Sequence, residues 1–130
     1  MKDAEEDITD KKYQYALDKL KNIRNKFPYS HTATQAQLRI ADVHFFEESF
    51  IEAASSYEAF RDLHPKYEKA DYVVFQIGES YFNQLPGSVD RDMTSGPKAQ
   101  EAYRELISLY PQSQYIEKAK LHLKETTGLS

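Results

Sequence analysis

The chain has 130 residues, 29% of them charged and 40% apolar, with a net charge of −4 and no cysteine. That size and balance fit one folded domain. The acid excess leaves no basic footprint for nucleic acid, the missing cysteines exclude disulfides and thiolate metal sites, and no apolar run reaches the ~18 residues of a membrane helix.

Met1–Asp10 is acidic and polar, unlike a signal peptide. Next comes the first of three copies of one spacing: Ala16, Leu20, Ile23, Pro28. It recurs as Ala53, Tyr57, Phe60, Pro65 and as Ala99, Tyr103, Leu106, Pro111. Residues at i, i+4 and i+7 lie on one helix face. The Ala marks the point where a neighbouring helix comes close, and the Pro stops the helix because it lacks an amide donor. The spacing therefore predicts second helices of three helix pairs over Lys11–Lys26, Ile51–Leu63 and Pro97–Leu109. Counting back from Pro28, Ala4 takes the small-residue position of the first repeat's opening helix. Most of that helix is expected to lie before Met1.

The first helices carry a register of their own. Moving Gln35, Leu38, Asp42, Phe45 and Phe46 forward by 37 gives Tyr72, Phe75, Glu79, Phe82 and Asn83. The same shift takes Ile40, Ala41 and His44 to Ile77, Gly78 and Tyr81. Each first helix thus has one face with a small centre, suited to its partner helix, and a second face rich in Phe. Thr32 and Gln35 have the spacing of a capping box. Pro65 to Pro111 is 46 residues against 37 from Pro28 to Pro65, and the nine extra fit between Phe82 and Pro97, a stretch with turn chemistry at Pro86, Gly87, Ser95 and Gly96. After Pro111, Tyr115, Ile116, Ala119 and Leu123 predict one more amphipathic helix, which either caps the array or opens a fourth repeat.

Small first-helix residue, second-helix Ala and closing Pro match the tetratricopeptide pattern, whose unit is 34 residues. The predicted fold is all-α: tetratricopeptide-repeat helical hairpins stacked into a short right-handed solenoid. The expected domain is single, 1–130. Repeat one (incomplete) covers 1–29, repeat two 30–66, repeat three with its insertion 67–112, and a trailing helix 113–127.

Three local features narrow the family. "FPYS" (Phe27–Ser30) and "YPQSQY" (Tyr110–Tyr115) resemble the repeat junctions of periplasmic lipoproteins, as does the three-residue extension of the linker. "DRD" (Asp90–Asp92) in the insertion, followed after 17 residues by "YP", resembles the BamD-like family of outer-membrane β-barrel assembly lipoproteins. The likeness covers nearly the whole chain but only about the first three of that family's five repeats. It implies a non-enzymatic adaptor in assembly and insertion of β-barrel proteins, periplasmic at the inner face of the outer membrane. The implied partners are assembly-machinery subunits such as BamA and unfolded outer-membrane proteins or their C-terminal targeting peptides. Membrane attachment would come only from a lipid on an N-terminal Cys that this chain does not contain. The resemblance puts much of the BamA contact in the family's last two repeats, beyond the three that this chain matches.

In tetratricopeptide arrays the first helices line the concave side. Gln35, Leu38, Asp42, Phe45, Phe46, Tyr72, Phe75, Glu79, Phe82 and Asn83 are therefore the expected peptide-binding groove, with Arg39 beside them to receive a peptide carboxylate. The alternative is that the Phe residues are core between adjacent repeats. Asp90, Arg91 and Asp92 are either a partner-docking loop or local capping structure. His31, His44, His64 and His122 lack metal spacing. "GESYF" (Gly78–Phe82) is not a nucleophile elbow, and Asp90 and Asp92 have no catalytic partner nearby. No catalytic residue, metal or cofactor is expected. Two rivals remain: a periplasmic scaffold coordinating cell-envelope or division complexes, and a cytoplasmic tetratricopeptide interaction scaffold.

Overall fold

The computed structural model describes residues 1–85 and 95–127. Seven helices and no strand occur among them: α1 (Lys2–Thr9), α2 (Tyr13–Lys26), α3 (His31–Phe46), α4 (Phe50–Leu63), α5 (Ala70–Phe82), α6 (Ser95–Leu109) and α7 (Ile116–Thr126). Helices adjacent in sequence pack on each other, α1 on α2 and α2 on α3, then α5 on α6 and α6 on α7, as in a tetratricopeptide-like array. Contacts group the chain into two compact units, Met1–Ser56 and Tyr57–Ser130.

The predicted second helices end where expected, at Lys26, Leu63 and Leu109. Each closing Pro sits second in a hydrogen-bonded four-residue turn, a position its fixed φ favours. The Ser30 amide donates to the Phe27 carbonyl, that of Tyr67 to His64, and that of Ser113 to Tyr110, at 3.0, 3.1 and 3.0 Å. The starts differ more. The first of these helices begins at Tyr13 instead of Lys11, because Lys11 adopts a left-handed backbone (φ 60°). The third begins at Ser95 instead of Pro97. Proline is tolerated there because first-turn amides have no intrahelical acceptor. The cap of α3 is also not the Thr32–Gln35 box. Ser30 caps it, its Oγ accepting from the Ala33 amide at 3.0 Å.

The repeat is visible in the backbone itself. Among the described residues, Lys11 and Glu48, 37 residues apart, are the non-glycine residues with positive φ. Around Lys11, the amides of Lys11 and Lys12 donate to Ile8 and Asp7; around Glu48, those of Glu48 and Ser49 donate to Phe45 and His44. Each pair ends one helix and turns the chain into the next.

In the first unit the core gathers Ala4, Ala16, Leu17, Leu20, Ala36, Ile40 and Val43, with Ala4 buried between α1 and its neighbours. In the second it gathers Val74, Phe75, Ala99, Tyr103, Leu106, Ile116 and Ala119. Ala16, Ala53 and Ala99 are all fully buried, as are Leu20, Tyr57, Phe60, Tyr103 and Leu106. Ile23 is only partly buried. Gly78 marks the closest approach: a Cβ built there would lie 2.5 Å from Cε1 of Tyr103.

Candidate protein-binding face

The two halves of the predicted stripe lie in different units and have different surroundings. On α3, Gln35 and Phe46 are exposed, Arg39 and Phe45 are partly buried, and Leu38 and Asp42 are buried. Phe45 packs edge-on against Phe50, with ring centroids 5.2 Å apart. Arg39 sits at the centre of this face. Its Nε and Nη2 donate to the two carboxylate oxygens of Glu5, each at 2.8 Å, and its Nη1 donates to Asp42 Oδ2 at 2.9 Å. The guanidinium also lies over the Phe46 ring, 5.5 Å from its centroid. The hydrogen bond to Arg39 holds the Glu5 carboxyl below its ordinary value, against a partial desolvation that acts the other way. Arg39, expected as an open receptor for a carboxylate, therefore already holds two carboxylates of its own chain.

On α5 most of the stripe is covered by α7 and by Tyr115, the residue just before it. Phe75 is buried, its ring stacked on Tyr115 at 4.8 Å and 15°. Tyr72 meets Tyr115 and Tyr57, with centroids 5.8 and 6.4 Å apart. Phe82 lies parallel to the imidazole of His122 at 4.1 Å. Asn83 is exposed and donates to the Glu79 carbonyl at 2.7 Å.

Glu79 is 4% exposed, and an unpaired carboxylate there would carry a large desolvation cost. Its Oε2 instead accepts from the Tyr103 hydroxyl and from Nδ1–H of His122, each at 2.5 Å. Lys118 Nζ stands 3.6 Å from Oε1, but its side chain is 60% exposed, so that ion pair contributes little. Burial first, then the Glu79 charge, pushes the Tyr103 hydroxyl's pKa up, which keeps it a donor.

Sequence reasoning placed Phe75, Glu79 and Phe82 correctly on one helix face but missed what meets them. Tyr115, Lys118 and His122 are spaced i, i+3, i+7, the signature of a single face of α7. His44, expected to pack like Tyr81, is partly buried with Nδ1 3.2 Å from Glu47, while Tyr81 donates to Glu58 at 2.9 Å. A separate hollow of about 370 Å³ lies among Ala70, Val73, Val74, Leu109 and Tyr110, with Arg61 and Glu105 paired at 3.5 Å beside it. None of the stripe residues lines it. Asp90, Arg91 and Asp92 fall outside the described residues. No group of three or more His, Asp or Glu is placed to hold a metal ion among the described residues, and none of their helices is long and apolar enough to cross a membrane.

A family model described as "Outer membrane lipoprotein" (YfiO) matches residues 1–127. The chain is 29% identical over 122 residues to outer membrane protein assembly factor BamD of Neisseria gonorrhoeae, covering 87% of the chain and 46% of that protein. It is 26% identical over 108 residues to the protein of that name from Caulobacter vibrioides (83% of the chain, 35% of the relative). The Vibrio cholerae protein is 25% identical over 114 residues (81% and 47%). The chain thus spans about half the length, or less, of these curated relatives. The model match over nearly every residue, together with the helical repeat, places the assignment beyond the fold alone: this chain belongs to the YfiO family of outer membrane lipoproteins.

Proposed function

We propose that this chain is the peptide-receiving part of a non-enzymatic adaptor in outer-membrane protein assembly, acting in the periplasm beside the outer membrane. Its partners are then other assembly subunits and the C-terminal peptides of unfolded barrel proteins. The observation that carries the reading is the α3 face: exposed Gln35 and Phe46 flank Arg39, with Phe45 half-buried beside them. This face sets aromatic surface next to hydrogen-bonding groups, which suits a peptide of alternating character ending in an aromatic residue. The α5 residues support it less directly, because α7 covers Phe75 and Glu79.

The test is titration of the protein with a ten-residue barrel-type peptide ending in Phe, followed by NMR and calorimetry. Binding is expected in the micromolar to sub-millimolar range, since a short patch must order a flexible peptide. Phe46→Ala should weaken it about fivefold or more, the loss expected for an aromatic anchor. Perturbations confined to α5–α7, or no binding, would overturn the assignment to α3.

A further inference from the structure

Arg39 is held by two carboxylates that differ in kind. Asp42 is one turn away on the same helix, its side chain 4% exposed. Glu5 comes from α1, an eight-residue helix, and its side chain is 43% exposed. The chain leaves α1 through left-handed Lys11. Asp42 is therefore a fixed part of the site, whereas Glu5 can turn out into water without uncovering core. Glu5 engages Arg39 through both oxygens, in the forked geometry a guanidinium offers to any carboxylate. The Phe46 ring, 41% exposed, lies against the same guanidinium. A chain terminus whose last residue is aromatic carries both matching groups: a free carboxylate and a ring next to it.

We propose that Glu5 is an internal ligand of Arg39, a built-in competitor that a peptide's terminal carboxylate must displace. This rests on the α3 peptide-binding reading and adds its regulation. A partly exposed ion pair is weak, so Glu5 lowers apparent affinity without blocking the site. Bound ligand would need the fraction of molecules in which Arg39 is free. Removing the competitor should tighten binding by about two- to fivefold.

The probe is the same Phe-ended peptide, as free acid and as C-terminal amide. Glu5→Gln should bind the acid about two- to fivefold more tightly than wild type and the amide no better. Glu6→Gln removes the same charge from an exposed position on α1 and should bind like wild type. In unmutated protein, the Arg39 Nε–H and Glu5 carboxyl carbon resonances should both move as the acid peptide is added. That second readout holds even where a variant frays α1. Equal gains for acid and amide, or an unmoved Arg39 Nε–H despite binding, would overturn the competitor and leave peptide binding intact. Absence of binding to wild type and to Glu5→Gln alike would overturn both.

Discussion

The imidazole of His122 lies flat on the ring of Phe82, 3° from parallel, while its Nδ1 reaches the buried carboxylate of Glu79. One α7 side chain thus meets an aromatic surface and satisfies a charge on α5. Removing it forfeits a ring stack of about 0.5–1.5 kcal/mol and one hydrogen bond to a charged group. Tyr103 still holds Glu79, so His122→Ala should cost about 2 kcal/mol rather than the larger penalty of an orphaned carboxylate. Urea denaturation checks this, and an unchanged midpoint would mean that the His122 contacts add nothing to the stability of the fold.

Gly78→Ala sets two effects against each other. Alanine gains up to ~1 kcal/mol of helix propensity, but its Cβ meets the Tyr103 ring. That ring is fully buried and its hydroxyl is tied to Glu79, so it has nowhere to swing. Overpacking of about 1–3 kcal/mol should win, for a net loss near 1 kcal/mol. In a Tyr103→Leu background the same change should cost less or become stabilising. A double-mutant cycle measures the coupling, and additivity within error would contradict the close approach.

The capping residue of α3 gives a comparison within one loop. Ser30→Ala should destabilise by about 1 kcal/mol, the usual loss for an N-cap hydroxyl, because Ala33 N–H loses its acceptor. Thr32→Ala, at an exposed position inside the helix, should change stability by less than about 0.5 kcal/mol. Thermal unfolding of the two variants separates them, and the reverse order would restore the Thr32–Gln35 capping box.

The Glu5 contact fixes the sign of one pH effect. Its carboxyl titrates below the ordinary 4.5 because Arg39 bonds the charged form. The contact therefore contributes stability above about pH 4.5, and that contribution is lost as pH falls through the lower folded value. Because Glu5 is well exposed, the change in overall stability is small, and the carboxyl carbon shift is the better readout. Its midpoint should lie below 4.5 in wild type and return toward 4.5 in Arg39→Gln. Identical midpoints would mean that the ion pair does not persist in solution.

Much of the fold was legible because its signals are periodic and local. The Ala–apolar–apolar–Pro spacing depends on one helix face and one stop residue, and it located three helix ends. The 37-residue shift reappears in the left-handed pair Lys11 and Glu48, although neither residue type announces that conformation. Helix starts were harder to read, since Gly96 and Pro97 look like a boundary yet sit inside the first turn of α6. The α3–α5 stripe was readable as a face, but not what covers it. Whether Phe75 is open or buried depends on Tyr115, forty residues away, and a single helix's periodicity carries no information about its neighbour. Arg39 illustrates the same gap: its engagement by Glu5 spans 34 residues.

α7 is fastened at three places along its length. Ser113 Oγ donates to Asp71 Oδ2 at 2.7 Å just before it begins, His122 meets Glu79 near its middle, and Gln100 Nε2 donates to the Thr126 carbonyl at 3.1 Å at its end. From Ile116 to His122 the axis runs only about 9 Å at 1.5 Å per residue, so the fastenings are closely spaced. A rod pinned at three points neither slides nor pivots when one pin is drawn. α7 is therefore tied both to α5, through Asp71 and Glu79, and to α6, through Gln100, so that the loss of one contact leaves its place set by the other two.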